Sequence, residues 1–281
     1  MKDYRAVRVC LNLVNIFLVV SLSLVLCCLG WEFSTRSYLK GFSDAIVPYS
    51  DNPEQKVQAI LSWMQHGPAR RSTADPNALD ARNPEDTLNY RQLLEVCGTA
   101  TNAFLNLAQS SGVHARRLLL LDQNKRSKHV VAETLMDNRW VIVDPSFHTI
   151  LRLPTGLPAT RQELRNPEVF RAATQSIPNY PLIYNYESTV HVRLNRIPFA
   201  GNLLRRVFDF IWPSWEESIN WTLVVERESF AALTVSVVLL WFALTLRFIL
   251  GWYSTQRLGV VRLRLRDRLE KVGEVLFSNT K

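Results

Sequence analysis

Between its two longest apolar runs the sequence has a single cysteine. Four cysteines occur in 281 residues, and Cys10, Cys27 and Cys28 sit within the first of those runs. Cys97 therefore has no partner for a disulfide in the intervening part of the chain. Paired Cys-x-x-Cys motifs are also missing, which leaves no structural zinc site, and no calcium loop is evident. The residues thus imply neither a metal nor another cofactor. No nucleic-acid-binding motif is present, and no internal repeat. Charge is absent from two stretches, Val9–Gly30 and Ser229–Leu246.

Each uncharged stretch is long enough to cross a bilayer as a helix. The second continues through Arg247 to Tyr253, where the guanidinium can snorkel to the interface. These runs divide the chain into a tail (1–8), a first span (9–30), a linker (31–53), a middle domain (54–198), an amphipathic interfacial segment (199–228), a second span (229–253) and a basic tail (254–281). A cleaved signal peptide is the alternative for the first run. That run is longer than a usual apolar signal core and has no clear small-x-small site before Trp31, so an uncleaved anchor is expected.

The charges set an orientation. The two tails, with Arg247, hold 11 basic residues against four acids, and the whole chain is +8, so the middle carries only +1. Basic residues stay cytoplasmic, which puts both termini in the cytoplasm and the middle domain in the periplasm or outside the cell. The near-neutral middle argues against nucleic acid as a partner. Expected partners are the lipid bilayer and a protein or peptide outside the cytoplasm.

Local patterns supply the elements. Asp51 or Asn52 can cap a helix at Pro53–Gln65, whose Val57, Ile60, Leu61 and Met64 form one face, with Gly67 as the stop. Arg70–Arg82 reads as an exposed loop. Asn83-Pro84-Glu85 starts a helix running through Leu88 to Leu94. Another is predicted from Cys97 to Ser110, ending at Gly112. Arg117–Leu121 is a short strand, and His129–Met136 and Arg139–Val143 form a hairpin about Asp137-Asn138. Leu151–Pro181 is irregular, with short helices near Ala159–Arg165 and Pro167–Thr174, and Leu182–Leu194 has strand character. Phe199–Trp212 and Arg257–Phe277 are amphipathic and basic enough to lie on a membrane surface.

Cys97 at a helix N-terminus has free backbone N–H groups and a favourable dipole, both of which favour thiolate. A two-residue turn at Asp137-Asn138 sets Val131 opposite Asp144. His129, two residues from Val131, then shares a strand face with Asp144. A carboxylate there can orient the imidazole while its other nitrogen faces the thiol. His148 is the rival base, four residues past Asp144 but without strand context. His66, His114 and His191 read as structural or surface residues.

The blocks Cys97-Gly98-Thr99-Ala100-Thr101-Asn102-Ala103-Phe104, Gly112-Val113-His114-Ala115-Arg116, His129-Val130-Val131-Ala132-Glu133 and Trp140-Val141-Ile142-Val143-Asp144-Pro145 resemble the transglutaminase-like superfamily. The resemblance covers roughly residues 54–150. It implies an α+β, papain-like core in which a Cys-bearing helix packs on an antiparallel sheet, here flanked by two transmembrane helices. It carries over Cys97 as nucleophile, His129 as general base and acid, and Asp144 as orienting group. Arg116 takes a supporting role, and Tyr90 or Gln92 could complete an oxyanion hole. The aromatic residue common two after the histidine is Val131 here, and a full peptide N-glycanase architecture lacks its zinc site.

The functional expectation is a membrane-anchored thiol enzyme acting on amide bonds through an acyl-enzyme. Hydrolysis is slightly favoured over transfer to an amine, because the sequence shows no amine site. The alternative is an idle module of the same fold that binds or assembles an envelope or surface-polymer complex. A transport component is a third class, for which the spans offer no charged pathway before Arg247.

Overall fold

The computed structural model describes residues 2–67, 71–73, 75, 77, 79–193, 201–213, 215–218, 221, 224 and 227–258. The loop expected at 70–82 is described only in part. Most of the expected tail helix at 257–277 lies outside these residues. The chain divides into two units, Met1–Glu32 with Ala232–Lys281, and Phe33–Ala231.

Two helices supply the first unit. Helix α1 runs Lys2–Ile46, and the last helix, α9, runs Glu228–Leu258. Both are long and apolar enough to span a membrane, over Ala6–Ile46 and Glu228–Gln256. Leu11, Val14, Ser21 and Val25 are buried at spacings of three, seven and four, and Ser236, Ala243, Arg247 and Ser254 on α9 at spacings of seven, four and seven. These spacings keep one stripe of each helix inward. Arg247 does not reach outward: its Nε donates to Asn15 Oδ1 at 2.8 Å. A charge at this depth is stabilised by an acceptor on the neighbouring helix.

In the second unit, residues 33–46 continue α1 where the sequence suggested a linker. No proline interrupts them, and Leu39, Phe42 and Ile46 recur at helical spacing to join the domain core. Helix α2 (Pro53–His66) is capped by Asn52, whose side chain accepts from Glu54 N at 2.8 Å and Gln55 N at 3.4 Å. Asn83 caps α3 (Pro84–Asn89) in the same way. The run expected to continue to Leu94 breaks at Tyr90, which is extended (φ −105°, ψ 125°) and bridges to Arg71 before α4 (Arg91–Leu94). Helix α5 spans Cys97–Ser110, and Gly112 follows at φ +79°.

Five antiparallel strands follow, β1 (Ala115–Leu121), β2 (Ser127–Met136), β3 (Arg139–Asp144), β4 (Thr149–Ile150) and β5 (Thr189–Val190), in the order β4-β3-β2-β1-β5. Ala115, Ala132, Met136, Val141 and Val143 turn one sheet face to α2 and α5. Leu118, Leu120, Val131 and Ile142 turn the other to a layer built from residues 147–186, including α6 (Pro167–Thr174). Fully buried side chains such as Phe104, Leu105 and Leu118 each contribute roughly 1.5–3 kcal/mol of transfer free energy. The strand expected at Leu182–Leu194 shrinks to Thr189–Val190 at the sheet edge. A turn at Pro181–Tyr184 (Tyr184 N to Pro181 O, 3.0 Å) and aromatic packing of Tyr184 and Tyr186 occupy its first half.

Both flanking segments meet α5 within this unit. Ser43 of α1 donates to Leu107 O at 3.5 Å. Arg227, the residue before α9, donates from Nε and Nη2 to Asn106 Oδ1 at 3.1 and 3.0 Å. Helices α7 (Gly201–Ile211) and α8 (Trp215–Ser218) complete the unit. Phe208 of α7 packs on buried Trp215, while Leu203, Phe210 and Ile211 remain exposed.

Candidate active site

Helix α5 begins abruptly. Val96 is extended and gives no side-chain cap, so the first-turn N–H groups at Cys97 have no capping side chain. Thr99 holds the entry turn by donating to Val96 O at 3.1 Å. The half-exposed Cys97 packs beside Leu119, Leu121, Val130 and Val190.

The hairpin positions the other two groups. Met136 pairs with Arg139 and Ala132 with Val143, the register that a two-residue turn requires. Asp137 and Asn138 both adopt positive φ, +47° and +63°, as a tight primed turn demands. This parity puts His129 and Asp144 on one face. His129 Nε2 lies 2.7 Å from Asp144 Oδ2, and both side chains are buried. Asp144 also accepts from Tyr180 Oη at 2.9 Å and, through Oδ1, from Ser146 N at 3.1 Å. Tyr184 stacks flat on the His129 ring, with centroids 4.1 Å apart and planes within 2°, and Phe147 meets it edge-on at 6.2 Å.

The imidazole's other nitrogen, Nδ1, is buried with no hydrogen-bond partner, and the Cys97 thiol lies near enough to the ring for each to shift the other's titration. The two titrate together. Burial opposes a charged His129, but hydrogen bonds to Asp144 and Cys97, with their negative charge, more than offset it and push its pKa up to about 9. Cys97 is held below its ordinary value, chiefly by the hydrogen bond to His129. Burial opposes this, while the imidazolium charge and the amides of Val130 and Gly98 assist. The two shifts favour a thiolate beside an imidazolium. Burial keeps the Tyr180 phenol protonated and therefore a donor to Asp144.

A family model, the Transglutaminase-like superfamily, matches residues 40–145. Residues 40–145 carry a transglutaminase-like domain. No curated protein and no solved structure gives a significant match. The match ends beside Asp144, so the tyrosines around His129 and Asp144 come from the segment beyond it.

The remaining candidates fall elsewhere in the transglutaminase-like fold. Arg116 is not among the described residues lining the cleft at Cys97: its Nε bonds buried Glu133 at 2.8 Å and its guanidinium covers Trp140 at 4.0 Å. Arg161 and His191 approach the same carboxylate at 3.4 Å each, so Arg116 belongs to a buried ionic cluster. Gln92 donates to Thr73 O at 3.1 Å, and neither Gln92 nor Tyr90 is among the described residues lining the cleft at Cys97. His148 follows a short 3₁₀ turn in a left-handed conformation, and the ring bonded to Asp144 is that of His129. His66 and His114 are exposed, whereas His191 is buried, with Nδ1 2.8 Å from Arg117 O. No cluster of potential metal ligands occurs among the described residues.

Sequence reasoning missed Tyr180 and Tyr184. Three tyrosines crowd positions 180, 184 and 186 in a proline-containing stretch, but without a regular period nothing assigned their rings to His129.

Proposed function

We propose that the chain is a cysteine-nucleophile enzyme acting on amide bonds through a thioester. The observation that carries this reading is His129, bonded through Nε2 to buried Asp144 and coupled on its other side to a thiol of lowered pKa. The Cys97 sulfur attacks the amide carbonyl carbon, and the oxyanion forms near the N-terminal amides of α5. His129 gives its proton to the departing nitrogen, the C–N bond breaks, and a thioester remains. His129, now neutral, takes a proton from water as the water adds to the thioester. Collapse expels the thiolate and releases the acid. An amine in place of water would give transfer. Hydrolysis is preferred because the sequence shows no amine site.

The same reading places the domain outside the cytoplasm between two membrane anchors, on the strength of the basic tails and the two apolar helices. Its substrate is then an extracytoplasmic peptide or amide. An amide-directed electrophilic probe applied to intact membranes tests the nucleophile. Labelling disappears in Cys97→Ala while the domain keeps its melting temperature. Undiminished labelling or turnover in that variant overturns the assignment.

A further inference from the structure

We infer that the cleft at Cys97 takes an amide substrate carrying a carboxylate close to the attacked carbonyl. This deepens the reading above and rests on it for the identity of the nucleophile. The cleft encloses about 370 Å³, and its walls include Leu119, Val130 and Val192 beside Cys97. Arg117 and Arg193 bring two positive charges to it, and no aspartate or glutamate is among its described lining residues.

The geometry around Arg193 points it at a ligand, and Arg117 adds its charge to the same cleft. Arg193 Nε is buried without a hydrogen-bond partner. A guanidinium donor removed from water is costly until an acceptor reaches it, and a carboxylate can take two of its N–H groups at once. The tail of β5 is pinned in place, because His191 Nδ1 lies 2.8 Å from Arg117 O, so Arg193 is carried along the rim rather than left on a loose end. Glu133, the buried carboxylate beside His191, is already engaged by Arg116 at 2.8 Å and Arg161 at 3.4 Å. Nor does the thiol account for Arg193. Its lowered pKa derives from His129 and the Val130 and Gly98 amides, with no arginine contribution.

The test compares two alkylating agents of nearly equal size, neutral iodoacetamide and anionic iodoacetate, on the full chain in membranes. In each the sulfur displaces iodide from carbon, so the ratio of the two rates reports charge in the cleft and cancels changes in the thiolate itself. Cys97→Ala supplies the blank for Cys10, Cys27 and Cys28. The iodoacetate-to-iodoacetamide ratio is expected to fall roughly three- to tenfold in Arg193→Gln, and again in Arg117→Gln, the loss of one nearby charge each. In the unsubstituted protein the ratio is expected to fall as salt is raised. An unchanged ratio in either folded variant, or a ratio indifferent to salt, overturns the anion site. Iodoacetamide labelling of Cys97 no faster than that of an ordinary thiol would instead remove the nucleophile reading and leave the charge comparison readable.

Discussion

A buried carboxylate is tolerable only when donors reach its oxygens. Asp144 has three: His129 Nε2, Tyr180 Oη and Ser146 N. That satisfaction makes it a fixed partner for the imidazole. Asp144→Asn removes the charge that raises His129, so the alkaline limb of thiol reactivity, near pH 9 in the unsubstituted protein, is expected to move down. The rate at neutral pH should fall on the order of 10²–10⁴. A pH profile of probe labelling measures both, and an unmoved alkaline limb would refute the role. Stability follows the same group. Folding raises His129 from 6.5 to about 9, so its contribution is fully present below pH 6.5 and is lost as pH rises through about 9. Denaturant midpoints taken between pH 6 and 10 should show this decline, and Asp144→Asn should flatten it. At this scale Cys97, His129 and Asp144 were legible because each occupies a place set by local pattern. Tyr180 and Tyr184 were not, because long-range packing alone decides which ring meets which.

The hairpin is the element on which the site depends, since side-chain direction alternates at every strand residue. The two-residue turn requires left-handed backbone at Asp137 and Asn138. Asn138→Val puts a β-branched residue into that conformation and should destabilise the domain by about 1–2 kcal/mol. Chemical denaturation reads the loss, and an unaffected midpoint would mean that the turn is not formed this way. Caps were equally readable: Asn52 and Asn83 both accept N–H groups at helix starts preceded by a clear signal. Besides the linker that continues α1, two elements were misjudged. The break at Tyr90 has no glycine or proline to announce it, and the backbone bridge to Arg71 that accompanies it comes from a distant loop. Residues 182–194 carry β-favouring side chains, yet Tyr184 and Tyr186 pack aromatic rings and His191, Val192 and Arg193 line the cleft, leaving Thr189 and Val190 to pair with the sheet. Strand preference describes a fit to a half-buried surface, and only the fold says whether that surface is available.

At the scale of the molecule, the basic ends and near-neutral middle argue for a topology with both tails cytoplasmic. In sealed vesicles of native orientation, external protease should digest the domain and spare a tag placed after Lys281. Digestion of that tag would reverse the assignment. Arg247 shows how burial changes the meaning of a charge. Its position near the end of an apolar run suggested an outward reach, whereas Asn15 on α1 accepts its Nε. A single sequence cannot show which residue of one helix faces a given residue of another, because the stripe is a property of the pair.

The sequence alone determined where the apolar helices lie, where α2, α3 and α5 begin, and the hairpin parity that sets His129 and Asp144 on one face. Each depends on neighbours in the chain: hydropathy over a window, a capping side chain, a two-residue alternation. Only the tertiary structure decided that three tyrosines converge about His129 and Asp144, that Arg116 joins Glu133 in a buried ionic cluster, and that Arg193 stands at the rim of the Cys97 cleft. Those contacts join residues far apart in the chain, and the balance of burial and charge that fixes them exists only after the sheet and its covering layers have formed.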